Sequence, residues 1–424
     1  MIKNLGWIFL EKVGVVLFSF ISSVLVARNF SVAEFGAYSF ALSLLAVFNV
    51  FSHMGLPAVS VRELSVSKNK NYSLSLIFSL KIIGCVLGFV FFNLYAYMFI
   101  KEGVVRLMCF ILSLSILFKV SEVIQYYFES LNENRINAQV KLTSSLIGSS
   151  SRILLALSSL RFYFVSFSYV LLNLSMFILF FSRFIPKVEI KKILKLPTFR
   201  DLVNLFKDCF LVFAGTIFAV LYLKIDQVML ESMINKEAVG IYAISSNLTE
   251  YWYFFPDALL VVLMPKLVKT FAVNKKNYYS YMRGITTFLF WSAFIVAICV
   301  NIFSRDLIEF IYGKKYIFSS EILNIHIWAA LFIFMRVPFS KHIVILKMTK
   351  FSLITQGVGC IVNVLLNYFL IGSMGVKGAA VATFFSYFIA GFMLLVIFKE
   401  TRSFFYVMLS SYNFRNLYYF KKIL

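Results

Sequence analysis

Seven ionisable side chains sit in or beside runs of residues that are otherwise apolar. Lys81, Lys119, Glu122 and Arg152 fall in the first half of the chain, and Asp226, Glu250 and Asp257 in the second. An Arg, Lys or Asp at the centre of a membrane-crossing helix costs about 2.5–3.5 kcal/mol on insertion scales, so such a group normally faces protein or water. Arg152 is the deepest, roughly 16 Å along a helix from Lys141 at 1.5 Å per residue. Gly148 and Ser149, one turn below it on the same face, leave room for a ligand or water. Lys119 and Glu122 are spaced either to act on a ligand or to pair with each other. Lys81, near the inner end of its run, either faces inward or reaches back to the headgroups. Glu250 and Asp257 are spaced to share one helix face, with Pro256 between them as a bend. They read either as partners for a neighbouring cation or as a proton or cation coupling site. Asp226 is a further coupling candidate, although Lys224 is close enough to pair with it locally.

What must position these groups is set by composition. Of the 424 residues 61% are hydrophobic and 14% charged, mean hydropathy is +0.87, and Phe occurs 51 times against six Pro. Such a chain cannot cover its apolar surface with its own polar groups, so lipid is its solvent. In lipid every backbone amide needs an internal partner, and long unbroken apolar runs select helices over a closed barrel. The expected fold is all-α and polytopic, with about twelve spans, near 13–28, 37–60, 76–100, 104–127, 141–160, 162–184, 208–224, 239–263, 284–303, 321–338, 351–371 and 378–398. Val13 to Ala27 is read as an uncleaved first span, not a signal peptide, because further apolar spans follow at once.

Basic residues orient the spans. With both termini cytoplasmic, about 28 of the 41 Lys and Arg fall in inside segments and about 10 outside, the inside set including Arg336 and Lys341. The formal net charge of +22 then lies against anionic headgroups, and nucleic acid is not needed to explain it. The longest inside connection, Pro186 to Asp208, alternates Ile190, Ile193, Leu194 and Leu196 with lysines. It divides the chain into an N-terminal six-helix lobe (1–185), a basic amphipathic linker (186–207), a C-terminal six-helix lobe (208–400) and an interfacial basic and aromatic tail (401–424). Both lobes start alike: Gly36-Ala37-Tyr38 follows span one and Gly240-Ile241-Tyr242 follows span seven. Two halves of six spans insert in the same sense, giving a parallel repeat related by an axis along the membrane normal, a transporter plan.

Cys85, Cys109, Cys209, Cys299 and Cys360 lie in apolar stretches without Cys-x-x-Cys or Cys/His spacing, so no disulfide framework, metal or cofactor is expected. There is no Gly-rich phosphate loop, no Arg ladder of a voltage sensor, no potassium-channel filter and no long soluble segment for a catalytic domain. A transporter, not an enzyme, is expected.

The opening Leu25-Val26-Ala27-Arg28-Asn29-Phe30 with Glu34-Phe35-Gly36-Ala37-Tyr38-Ser39 resembles the first loop of the bacterial O-antigen flippases. These form the polysaccharide-transport branch of the multidrug/oligosaccharidyl-lipid/polysaccharide exporter superfamily. Gly55-Leu56 with Val61-Arg62-Glu63-Leu64, Lys224-Ile225-Asp226-Gln227-Val228-Met229-Leu230, and Leu366-Asn367 with Gly375, Gly378-Ala379-Ala380 and Ala382-Thr383 continue the likeness over nearly the whole chain. The resemblance implies two six-helix lobes around a central cavity in a bacterial inner membrane. Its implied cargo is an undecaprenyl-diphosphate-linked oligosaccharide moved to the outer leaflet by alternating access. Membrane lipids, a polysaccharide polymerase and a chain-length regulator are the implied partners. A diphosphate needs counter-charge while crossing a low-dielectric region. Arg152, Lys119 and Lys81 are candidates for this, joined through the family's motifs by Arg28 at the outer mouth and Arg62 inside. Glu250, Asp257, Glu122 and Asp226 are the coupling-ion candidates. The alternatives are a cation-coupled multidrug antiporter of the same superfamily and a membrane polysaccharide polymerase.

Overall fold

The structure, a computed structural model, describes residues 2–188 and 196–423, and among these every regular element is helical. Two compact units divide at Lys224 and Ile225. The linker residues Ile190, Lys191, Lys192, Ile193, Leu194 and Lys195 lie outside the described residues.

The first unit begins with α1 (Ile2–Asn29), α2 (Val32–His53), α3 (Leu56–Val66) and α4 (Lys70–Phe99). It continues with α5 (Gly103–Phe118), α6 (Glu122–Ser130), α7 (Asn134–Leu157) and α8 (Phe167–Phe184). Helix α9 (Phe199–Met233) runs through the division. The second unit holds α10 (Lys236–Glu250), α11 (Phe254–Val273), α12 (Lys275–Tyr312), α13 (Ser319–His326) and α14 (Ala329–Ile345). After these come α15 (Lys350–Met374), α16 (Val376–Phe388), a π-helical turn (Ile389–Met393), α17 (Leu394–Ile397), α18 (Lys399–Leu409) and α19 (Leu417–Ile423).

Ten helical stretches among the described residues are long and apolar enough to cross a membrane. They fall at ten of the twelve expected positions. The other two expected spans coincide with α7 and with α10–α11, the stretches that carry Arg152 and the Glu250–Asp257 pair. The first mixes polar and charged side chains into its apolar run, and the second is divided by a 3-10 turn at Tyr251–Tyr253.

Several boundaries move. The second span stops at His53, where Met54 and Gly55 both take positive φ, and α3 starts separately at Leu56. Gly55 is required there: a Cβ would come within 2.3 Å of the Cys209 carbonyl oxygen and 2.9 Å of the Phe213 nitrogen, so α9 packs directly on this turn. The expected linker end is helical, with Thr198 capping the Asp201 amide and the Tyr72 hydroxyl donating to the Asp201 carboxylate. The expected tenth span does not end at Arg336 and Pro338 but continues to Ile345, so Arg336 and Lys341 lie within a helix and not in an inside loop. Pro338 falls inside this helix, which buries Met335, Phe339 and Ile343 in the core of the second unit.

The tail after Lys399 folds onto α12. Phe404, Val407, Met408, Phe420 and Ile423 are buried, Phe420 stacks on Phe288 at 4.2 Å, and Phe414 stacks on Trp291 at 4.0 Å. Tyr406, Tyr412 and Tyr418 remain exposed on the other side.

Candidate functional site

In the first unit four ionisable groups meet at a break in the helical path. A 3-10 turn, Lys119–Ser121, separates α5 from α6, and such a turn inside a helical run marks strain or a hinge. It presents Lys119 beside Glu122, which opens α6. Lys81, from the middle of α4, is fully buried, and its Nζ donates to Glu122 Oε2 at 2.5 Å. Lys119 Nζ lies 3.5 Å from Oε1 of the same carboxylate. His53, in the last turn of α2, places Nδ1 3.5 Å from Oε2, and the Tyr126 hydroxyl reaches that oxygen at 3.5 Å. Lys81 therefore does not reach back to headgroups: it is held inside by a carboxylate, because a buried charge left unpaired would cost several kcal/mol. Of the two readings of Lys119 and Glu122, mutual pairing is the one seen. Glu122 is committed to two ammonium groups.

Arg152 lies apart from this cluster, among α1, α7 and α8. It is 4% exposed, with Nη1 donating to Ser22 Oγ at 3.0 Å and Nε to Ser168 Oγ at 3.3 Å. Its guanidinium sits 4.5 Å over the Tyr169 ring. Tyr38 of the first Gly-x-Tyr is buried beside it, 6.5 Å from Tyr169. The room expected at Gly148 is filled by Leu172 of α8, whose side-chain carbons would lie 2.6–3.0 Å from an added Cβ. Gly148 thus serves close helix packing, not a ligand.

The second unit has the opposite polarity. Asp226, on α9, is 2% exposed and accepts three side-chain hydrogen bonds. Tyr242 Oη donates at 2.5 Å and Thr383 Oγ1 at 2.7 Å, both to Oδ2, while Asn367 Nδ2 donates to Oδ1 at 2.5 Å. Asn367 also meets Asn363 Oδ1 at 3.1 Å, one turn away on α15. Asp226 does not pair with Lys224. It lies seven residues inside the end of a longer helix than expected and turns into the unit. The second Gly-x-Tyr supplies Tyr242, so the two related tyrosines each lie by a buried charge, Arg152 in one unit and Asp226 in the other. Asn363 escaped the sequence reading; its four-residue spacing from Asn367 on an apolar helix was the signal available.

Glu250 and Asp257 do not share one helix. A 3-10 turn, Tyr251–Tyr253, intervenes, and Pro256 stands in the first turn of α11 just after the break. Asp257 Oδ1 accepts from Lys341 Nζ at 2.9 Å, the partner-for-a-cation reading. Glu250 ends α10 within electrostatic reach of Tyr242 and Tyr387. Arg28 and Arg62 are both exposed, in the last turn of α1 and in α3. Neither joins the buried clusters.

The sequence profile of the family described as "Polysaccharide biosynthesis protein" matches residues 1–271. The chain belongs to that family. A relative is the capsular polysaccharide biosynthesis protein CapF of Staphylococcus aureus, 24% identical over 347 residues, covering 78% of this chain and 83% of the relative. The fold is shared with the lipid II flippase MurJ in an inward closed conformation, at TM-score 0.70 and 19% identity over 97% of this chain and 91% of that one. It is shared also with a multidrug resistance MATE family transporter of the MOP superfamily in an inward-facing conformation, at 0.69 and 12% over 94% and 96%. This polysaccharide biosynthesis protein is thus a multi-pass helical membrane protein with the fold of those transporters, as the motif resemblance implies. Its Ser31-x-x-Glu34 is a capping box: the Ser31 hydroxyl accepts from the Glu34 amide while Glu34 accepts from the Ser31 amide at 2.9 Å. Glu34 thereby fixes the start of α2, the helix that carries Tyr38.

Proposed function

We propose that the chain is a flippase carrying an undecaprenyl-diphosphate-linked oligosaccharide from the cytoplasmic to the outer leaflet of a bacterial inner membrane by alternating access. The observation that carries this reading is the excess of positive charge among the buried groups of the first unit, where Lys81 and Lys119 share the carboxylate of Glu122 and Arg152, apart from them, donates to the Ser22 and Ser168 hydroxyls. A bilayer-embedded unit keeps such charges at considerable cost, and an anionic group on a lipid carrier is the cargo that would use them. Family membership supplies the polysaccharide context. Lys119, at the open edge of its cluster with 19% side-chain exposure, is the first contact proposed for the diphosphate. Arg152 is proposed as the deeper counter-charge, reached when α1, α7 and α8 move apart.

Coupling is assigned to Asp226. Among the four acidic candidates Glu122 and Asp257 are held by lysines, whereas the described partners of Asp226 are neutral hydroxyls and amides. A fully buried carboxylate in that setting either takes a proton or exchanges its donors for a monovalent cation, with the oxygens of Thr383, Asn363 and Asn367 around it.

The test is export in a strain lacking its own flippase, rescued with this protein. At matched expression Arg152→Ala is expected to abolish surface polysaccharide and Arg152→Lys to restore part of it. Normal surface polysaccharide with Arg152→Ala overturns the counter-charge role. The antiporter reading makes the opposite demand, that the strain become sensitive to cationic dyes when the gene is lost.

A further inference from the structure

We propose that Glu122 is a built-in surrogate for the cargo's phosphate, holding Lys81 and Lys119 in place until the diphosphate displaces it, and expelling the cargo when it returns. The inference rests on the flippase reading and adds a residue that sets how tightly the anion is held.

The geometry is that of an occupied anion site. Two ammonium groups from separate elements, α4 and the 3-10 turn, converge on one carboxylate, as they would on two oxygens of a phosphate. The two contacts are unequal. Lys81 is fully buried and 2.5 Å from Oε2, whereas Lys119 is partly exposed and 3.5 Å from Oε1. Lys119 is thus the side on which an incoming anion can compete, and Lys81 is the side from which Glu122 is released last. A third position for the displaced carboxylate is already present. Ser52 Oγ lies within hydrogen-bonding distance of the Asn49 carbonyl oxygen at 2.8 Å and of Asn49 Oδ1 at 2.9 Å, and Asn49 Nδ2 faces His53 Nε2 at 3.5 Å. With the amide N–H as donor to Nε2, the matching tautomer carries its ring hydrogen on Nδ1, the nitrogen that faces Glu122. That nitrogen has no hydrogen-bond partner in the closed cluster. The groups facing His53 are Glu122, Lys81, Lys119 and Asn49. Glu122 Oε2 already stands 3.5 Å from His53 Nδ1, so a carboxylate displaced from Lys119 has that donor within reach.

The charge count makes the same point. With Glu122 in place the two lysines and one carboxylate leave a single positive charge, too little to hold a dianionic diphosphate permanently. Without Glu122 the site would carry two, binding cargo tightly and letting it go slowly. A transporter must do both, and a competing internal carboxylate tunes the balance.

The experiment measures binding of undecaprenyl diphosphate, with inorganic pyrophosphate as a soluble competitor, to the purified full-length protein in lipid nanodiscs. The export rate is followed in the complemented strain. Glu122→Gln keeps the shape and removes the charge; it is expected to tighten binding about tenfold while lowering export at least fivefold. Glu122→Asp retracts the carboxylate from Lys119 but leaves it near Lys81, and is expected to tighten binding about threefold even if the Gln variant folds poorly. Weaker or unchanged binding in both variants overturns the surrogate role and leaves Glu122 a structural partner of Lys81. If the wild type shows no preference for undecaprenyl diphosphate over undecaprenol, the flippase reading itself fails and this inference falls with it.

Discussion

The Tyr242 hydroxyl donates to Asp226 Oδ2 across 2.5 Å, joining the start of α10 to a carboxylate buried in α9. A charge-assisted bond of this kind inside a low-dielectric site contributes about 1.5–3 kcal/mol, and leaving the acceptor short of a donor costs a similar amount. Tyr242→Phe removes that donor together with its 3.1 Å contact to Thr383 Oγ1, while Thr383 still reaches the same carboxylate oxygen. The expected outcome is a protein that folds, melts several degrees lower, and exports with an altered dependence on the imposed ion gradient.

Asp226→Asn tests coupling directly. An amide keeps the shape and one acceptor, but it neither takes a proton nor binds a cation with charge. In inverted membrane vesicles, export driven by a pH or sodium gradient is expected to fall to the ungradiented rate in Asp226→Asn. The same measurement on Asp257→Asn is expected to keep its gradient dependence, because Asp257 is occupied by Lys341 at 2.9 Å. Loss of gradient dependence in Asp257→Asn with none in Asp226→Asn would falsify the assignment.

Much of the fold is legible in the sequence. The spans follow from apolar runs, since a helix of about twenty apolar residues matches the hydrocarbon thickness of a bilayer. The buried charges followed from their interruption of those runs. Hydropathy carries no information on where a long side chain ends, however, and that is where expectation and structure part. Lys81 could reach headgroups or turn inward, and only the position of Glu122, 41 residues away, decides it. Glu250 and Asp257 had helical spacing, but the 3-10 turn between them broke the register on which that reading depended. Asp226 beside Lys224 suggested a local pair, and the choice of Tyr242, Asn367 and Thr383 instead depends on contacts up to 157 residues apart.

Gly55 marks a packing requirement whose loss is measurable. At φ +72° an L side chain is strained, and a Cβ there would stand 2.3 Å from the Cys209 carbonyl oxygen of α9. Both effects act together, so Gly55→Ala is expected to destabilise by more than the ~1 kcal/mol typical of a left-handed glycine alone. Thermal unfolding in detergent should show a lower Tm, with export reduced in proportion to the folded fraction. An unchanged Tm would mean that α9 can withdraw from the turn.

The tail makes a prediction about lipid exposure. Phe414 covers Trp291 at 4.0 Å, and Phe414 is itself 56% exposed, so the ring stands between the indole and the surroundings. Trp291 belongs to the apolar stretch of α12, inside a predicted span, and stacking of this kind is worth about 0.5–1.5 kcal/mol beyond its buried area. In a variant whose only tryptophan is Trp291, Phe414→Ala is expected to open the indole to the acyl region. Brominated lipids should then quench its fluorescence more strongly, while an aqueous quencher such as iodide has no added effect. Iodide quenching instead would place this face of α12 in water and move the tail out of the bilayer. Phe420→Ala, which loses the 4.2 Å stack on Phe288 one turn away, should produce the same change in weaker form, because Ile423 stays buried beside it.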